Sequence, residues 1–200
     1  EEKDIGHGVS LPLYTSGVKS VGWWAMFITM SGDGTAFASL VFGYFFFWTV
    51  HPQFPPAGVT GPGWEAPLAA GLLSLAAWGA TLAARHLNAG GRALAARVTL
   101  GLGIALAGSA AGALLAGPWL TGLDPAAHSY PAIVWTLAGW TALHLGVGMM
   151  MQAYAIARSW KRRMTPTHDI DLRNITLYWH FALFTAVLTS LVIGGFPLVL

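Results

Sequence analysis

The chain has 200 residues, of which 55% are hydrophobic and only 9% charged. Soluble domains carry about a quarter charged residues, so this composition describes an integral membrane protein and excludes an ordinary soluble enzyme or a nucleic-acid-binding domain. The net charge is only +2, and the absence of cysteine excludes disulfides, thiolate metal sites and thiol catalysis.

Residues 1–20 form a polar leader with Lys3 and Lys19, opening on Glu1 without an initiator Met or a secretory signal pattern. Such a start is expected of a processed or truncated chain, or of part of a longer polypeptide. Residues 22–48 make the first expected span, 27 residues without Lys, Arg or Glu. At ~1.5 Å per residue this helix is roughly 40 Å long, more than a bilayer core needs. Asp33 lies roughly 16 Å along it, near the membrane midplane. An unpaired carboxylate there costs from about 3 to over 10 kcal/mol, so it calls for a partner.

His51-Pro52-Gln53-Phe54-Pro55-Pro56 closes the first span, because three prolines forbid further helix. Glu65-Ala66-Pro67 opens a second span over 66–86, with Pro67 suited to a first helical turn. Arg92 and Arg97 introduce a third over 98–119, and a turn around Asp124-Pro125 leads to Pro131 and a fourth over 131–158. A basic loop, Trp160 to Pro166, precedes the fifth over 174–195. The expected fold class is all-α, one bundle of five transmembrane helices over 21–200 behind the short leader.

Charge sets the expected orientation. Lys3 and Lys19 lie before the first span; Arg85, Arg92 and Arg97 between the second and third; and Arg158, Lys161, Arg162, Arg163 and Arg173 between the fourth and fifth. With five spans all ten basic residues fall on one side. The positive-inside rule makes that side, and the N-terminus, cytoplasmic, and puts Leu200 on the periplasmic side. The eight from Arg85 to Arg173 form an expected rim for anionic lipid headgroups.

Helices two and three read as packing helices, from Ala76, Ala80 and Ala84 and from Gly108-x-x-x-Gly112, because small residues let backbones approach closely in lipid. Trp23, Trp24, Trp48, Trp64, Trp119 and Trp160 fall near span ends, as an interfacial belt does.

His144 lies roughly 21 Å from the basic end of helix four and Asp33 roughly 20 Å from the same end of helix one. Their matched depth makes them an expected buried pair, either a proton-relay element or a structural bond between the helices. His180 is only roughly 9 Å deep, so it and His144 are mismatched by about 12 Å for the two faces of one haem. Met149, Met150 and Met151 point in different directions and make no copper site. His7, His51, His86, His128 and His168 fall in loops or at helix ends, where solvation is the default. No catalytic residue and no metal site is expected.

Together these residues resemble subunit III of the haem-copper respiratory oxidases. That family has a buried acidic residue in a helix ending in an aromatic run, matched by Asp33 and Tyr44-Phe45-Phe46-Phe47-Trp48. Its Glu-x-Pro helix opening is matched by Glu65 and Pro67, its Gly-aromatic-His-Gly-Leu-His segment by Gly139 to His144, and its Trp-His-Phe signature by Tyr178, Trp179, His180 and Phe181. Thr141 stands where the family has its first histidine, and Leu183 where it usually has an aspartate. Asp33 replaces the glutamate of mitochondrial-type members, as in quinol-oxidising relatives. The first two helices of seven-helix members have no counterpart, so a subunit I–III fusion is one expected origin.

The resemblance implies a non-catalytic accessory subunit of a proton-pumping cytochrome c or quinol oxidase in the bacterial inner membrane. It implies packing on subunit I (with subunit II in the complex), phospholipid binding, and support of proton uptake and lasting activity. Haem and copper are then expected in subunit I and no cofactor in this chain. The alternatives are an accessory subunit of a nitric oxide reductase and, from another class, a small proton-coupled transporter using Asp33 and His144.

Overall fold

The computed structural model describes residues 2–12 and 19–198. Leu200, expected on the periplasmic side, lies outside the described residues, as do residues 13–18 of the leader. The elements are β1 (Glu2–Asp4), β2 (Ser10–Pro12), α1 (Val21–Val50), α2 (Glu65–Ala89), α3 (Ala93–Leu120), α4 (Ser129–Trp160) and α5 (Ile170–Ser190). A π-helical stretch, Leu191–Gly195, and a 3-10 turn, Phe196–Leu198, continue α5. Five helices are long and apolar enough to cross a membrane.

The bundle is all-α as expected, and the leader adds one short non-helical element. The leader folds into a small antiparallel hairpin, β1 with β2, whose turn is made by Gly6, His7 and Gly8, all at positive φ. The Gly6 N–H donates to Asp4 Oδ1 at 2.8 Å, a local side-chain closure of the turn.

The helices run up and down the bundle. At one end Asn88, in the last turn of α2, donates through Nδ2 to the Thr165 carbonyl in the α4–α5 loop at 3.2 Å. Gly22 at the start of α1 sits so close to Asn174 of α5 that an added Cβ would lie 3.3 Å from its Nδ2. At the other end the His51 and His128 rings are 4.9 Å apart and the Phe54 and Tyr130 rings 4.9 Å apart. The eight basic residues from Arg85 to Arg173 therefore gather at a common end. His51 and His128 are half-buried against one another, which corrects their reading as solvated side chains.

Three helices stop in the same way. At the end of α2, Arg92 N–H donates to Leu87 O and Gly91 N–H to Asn88 O, with Gly91 at φ 72. In α3 the corresponding bonds are Leu123 to Pro118 and Gly122 to Trp119, with Gly122 at φ 67. Each is a Schellman cap, which needs a left-handed residue just past the helix and so favours glycine. In α4 the bonds are Arg163 to Arg158 and Arg162 to Ser159, and the left-handed residue is Arg162 at φ 54.

The packing faces match the expected ones only in part. In α2 the buried residues include Ala70, Ser74, Ala77, Ala80, Thr81, Ala84 and Asn88, so Ala80 and Ala84 pack as expected while Ala76 is exposed. In α3 it is Gly103 and Gly117 that permit close approach: an added Cβ would lie 2.7 Å from Gln152 Nε2 or 3.1 Å from Pro62 Cβ. Gly112 is exposed with nothing within 4 Å, and Gly108 has only Met149 nearby, at 3.5 Å. Four-residue spacing identifies a face but not which way that face is turned. Helix α1 is peripheral, burying only Met30, Phe37 and Tyr44, one residue every second turn. Trp24, Trp48, Trp64, Trp119 and Trp160 are exposed at helix ends.

Candidate functional site

Asp33 of α1 and His144 of α4 face one another, with Oδ2 3.6 Å from Nε2. The imidazole is 6% exposed and the carboxylate 36%. His144 Nδ1 is 2.8 Å from the Trp140 carbonyl one turn earlier. A carbonyl can only accept, so Nδ1 carries the proton and donates. In a neutral ring Nε2 is then a bare lone pair aimed at a carboxylate oxygen. Two acceptors facing one another repel, so the arrangement calls for a hydrogen-bond donor between them, either one shared proton or a bridging water. At 3.6 Å the contact is longer than a direct hydrogen bond, within reach of a small side-chain shift or a bridging water.

The aromatic signature of α5 builds the wall behind this pair. Tyr178 donates its hydroxyl to the His144 carbonyl at 2.9 Å, and the Phe181 ring lies edge-on to the imidazole at 5.6 Å. Trp140 covers the ring from its own helix at 4.7 Å. Trp179 is fully buried against Gly148, where an added Cβ would come within 3.0 Å of the indole. His180 takes a different direction: its Nδ1 donates to Thr176 O at 2.6 Å, and its exposed ring stands 5.8 Å from Trp78 of α2. The two histidines thus sit on different faces, His144 against α1 and His180 beside α2.

Of the other signature positions, two open α2 and one lies within α4. Glu65 is the first residue of α2; Pro67 is buried in its first turn, beneath Gly194 of the π-helical stretch. Gly139 is half-buried on α4 with no atom crowding it. Thr141 is fully buried and its hydroxyl pairs with Thr189 of α5 at 2.8 Å. Sequence reasoning passed over Gln152, which donates to the Thr81 hydroxyl at 2.8 Å and ties α4 to α2. Its signal was available: an amide eight residues beyond His144, inside an apolar span, needs a partner.

At the basic end Arg173 Nε approaches both oxygens of Asp169 at 2.9 Å, and Arg158 reaches Asp171 at 3.2 Å. Beside them a groove of about 360 Å³ runs along Met26, Val147, Met150 and Ile175, with Tyr154, Asp171 and Asn174 at its polar end. Tyr154 also lines a neighbouring cavity of about 290 Å³ flanked by Arg158, Lys161 and Arg163. Among the described residues no three His, Asp or Glu side chains come together as a metal-binding group.

The fold and this arrangement define a multi-pass membrane bundle with an intramembrane carboxylate–imidazole pair. No protein-family profile matches the chain. It is similar to subunit 3 of the cytochrome bo(3) ubiquinol oxidase of Pseudomonas aeruginosa, with 28% identity over 114 residues. That match covers 55% of this chain and 53% of the relative, so the chain spans about half the length of the curated protein it matches.

Proposed function

We propose that the chain is an accessory, non-catalytic subunit of a terminal respiratory oxidase in the bacterial inner membrane, its N-terminus cytoplasmic. It packs on subunit I, which holds the haem and copper, and subunit II completes the complex. The observation that carries this reading is the similarity to an oxidase subunit 3. The Asp33–His144 pair and the aromatic wall from Tyr178 to Phe181 support it, because they set a carboxylate and an imidazole together inside the bundle at the positions that match the family's signature segments.

In this role the trough between Met26 and Ile175 takes a phospholipid tail and Arg158, Lys161 and Arg163 its headgroup. Held lipid keeps bulk water from the subunit boundary and supports proton uptake by the neighbouring subunit. The 36% exposure of Asp33 fits a carboxylate that a partner helix covers. The test is purification of the tagged chain from native membranes in mild detergent. Co-purifying oxidase polypeptides with stoichiometric haem support the role. A nitric oxide reductase would bring a different haem spectrum, and a proton-coupled transporter would arrive without haem and carry solute in vesicles.

A further inference from the structure

A third cavity lies at the basic end, away from the trough, between the α2–α3 turn and the α4–α5 loop. It measures about 230 Å³ and is lined by Asn88, Gly91, Ala93, Ser159, Arg162 and Thr165 among others. We propose that it is a binding site for a phosphate-type oxyanion. This inference stands apart from the oxidase assignment, since it uses none of the residues of the Asp33–His144 pair.

Four features converge on the cavity. Its only charged lining residue is Arg162, whose guanidinium pairs with no carboxylate among the described residues; Asp169 and Asp171 pair with Arg173 and Arg158. Arg162 reaches this place through a left-handed backbone, φ 54, at a cap position where glycine is the unstrained choice. A long cationic side chain kept at a position that favours glycine is the outlier that calls for a role.

The second feature is Ser159, 7% exposed, which lines the cavity and whose hydroxyl is buried without a hydrogen-bond partner. Buried hydroxyls ordinarily have one. The third is the start of α3, a helix of 28 residues with no capping side chain and no acidic residue in its first turn. Ala93, the first residue of α3, lines the cavity with its amide bonded to Gly91 O, while the amides of the next two residues, Leu94 and Ala95, have no backbone partner among the described residues. A helix start with free amides and positive dipole attracts an anion. Fourth, the Asn88–Thr165 hydrogen bond holds the two loops together, so the cavity is framed before any ligand arrives.

The Arg162 guanidinium and the Ser159 hydroxyl that line the cavity are both donors, the kind a tetrahedral oxyanion accepts from, and the α3 helix start beside them adds its positive dipole. The oxyanion can be free phosphate or the phosphodiester of an anionic lipid. The test uses the full chain in detergent and compares the wild type with Arg162→Gly and Ser159→Ala. Arg162→Gly removes the charge and relieves the backbone, so a loss of binding cannot be laid to misfolding. Titration calorimetry with inorganic phosphate should show saturable binding, weakened at least tenfold by Arg162→Gly and severalfold by Ser159→Ala. If phosphate does not bind, but one phosphatidylglycerol survives detergent exchange from vesicles of phosphatidylcholine and phosphatidylglycerol and is lost in Arg162→Gly, the site is a headgroup site. Equal binding by the wild type and Arg162→Gly in both arms, or none in either, overturns the proposal.

Discussion

His144 presents Nε2 to Asp33 at 3.6 Å while its other ring nitrogen is already committed to the Trp140 carbonyl. That commitment turns a contact between two side chains into a statement about a proton. With Nδ1 occupied, the neutral ring can only accept at Nε2, so the two groups are joined either by one shared proton or by a water that donates to both. The coupling should be measurable. A double-mutant cycle with Asp33→Ala and His144→Ala, read by unfolding in mixed micelles, is expected to give an interaction energy of roughly 0.5–3 kcal/mol. Additive single effects would mean that the two groups do not sense one another.

Gly148 and Gly112 make a contrasting pair. An Ala at 148 would push its methyl to 3.0 Å from the rigid, fully buried Trp179 ring and is expected to destabilise by about 1–3 kcal/mol. An Ala at 112 meets nothing within 4 Å, and by removing a helical glycine it should stabilise by roughly 0.5–1 kcal/mol. Equal effects of the two substitutions would show that the α4–α5 contact is not as close as described.

Why one glycine is critical and the other is not could not be read from the sequence. The five helices could be, because long apolar runs, proline breaks and the placement of all ten basic residues are properties of the chain itself. Depth could be read as well, since rise per residue alone places Asp33 and His144 at similar levels. Rotation could not. The Gly108/Gly112 spacing suggested a packing face, yet Gly103 and Gly117 are the close approaches. The direction of a helix face depends on neighbours elsewhere in the chain, as with Gln152 and Thr81, 71 residues apart. The His51–His128 contact joins two loops and has no local signal for the same reason.

Arg162 should be a stability cost as well as a ligand. Substitution by Gly at φ 54 removes the left-handed penalty and is expected to stabilise the chain by about 1 kcal/mol, whereas Arg162→Ala keeps the strain. Unfolding midpoints of the two variants check this. A destabilised Gly variant would show that the side chain makes contacts that outweigh the backbone term.

Gln152→Leu should cost about 1 kcal/mol or more, by stripping the buried Thr81 hydroxyl of its donor. Adding Thr81→Val should recover part of that loss, because a fully apolar pair leaves no acceptor stranded. No recovery in the double variant would mean that Gln152 acts through Gly103 instead.

The central claim is that this chain sustains a catalytic neighbour without taking part in electron transfer. It is tested most directly by following oxygen consumption with time for the purified complex, with and without the subunit, alongside its haem spectrum. The account predicts that the stripped complex keeps its haem absorbance and its initial rate, then loses activity over successive turnovers. An immediate, complete loss of activity with missing haem absorbance would place a redox centre in this chain and contradict it.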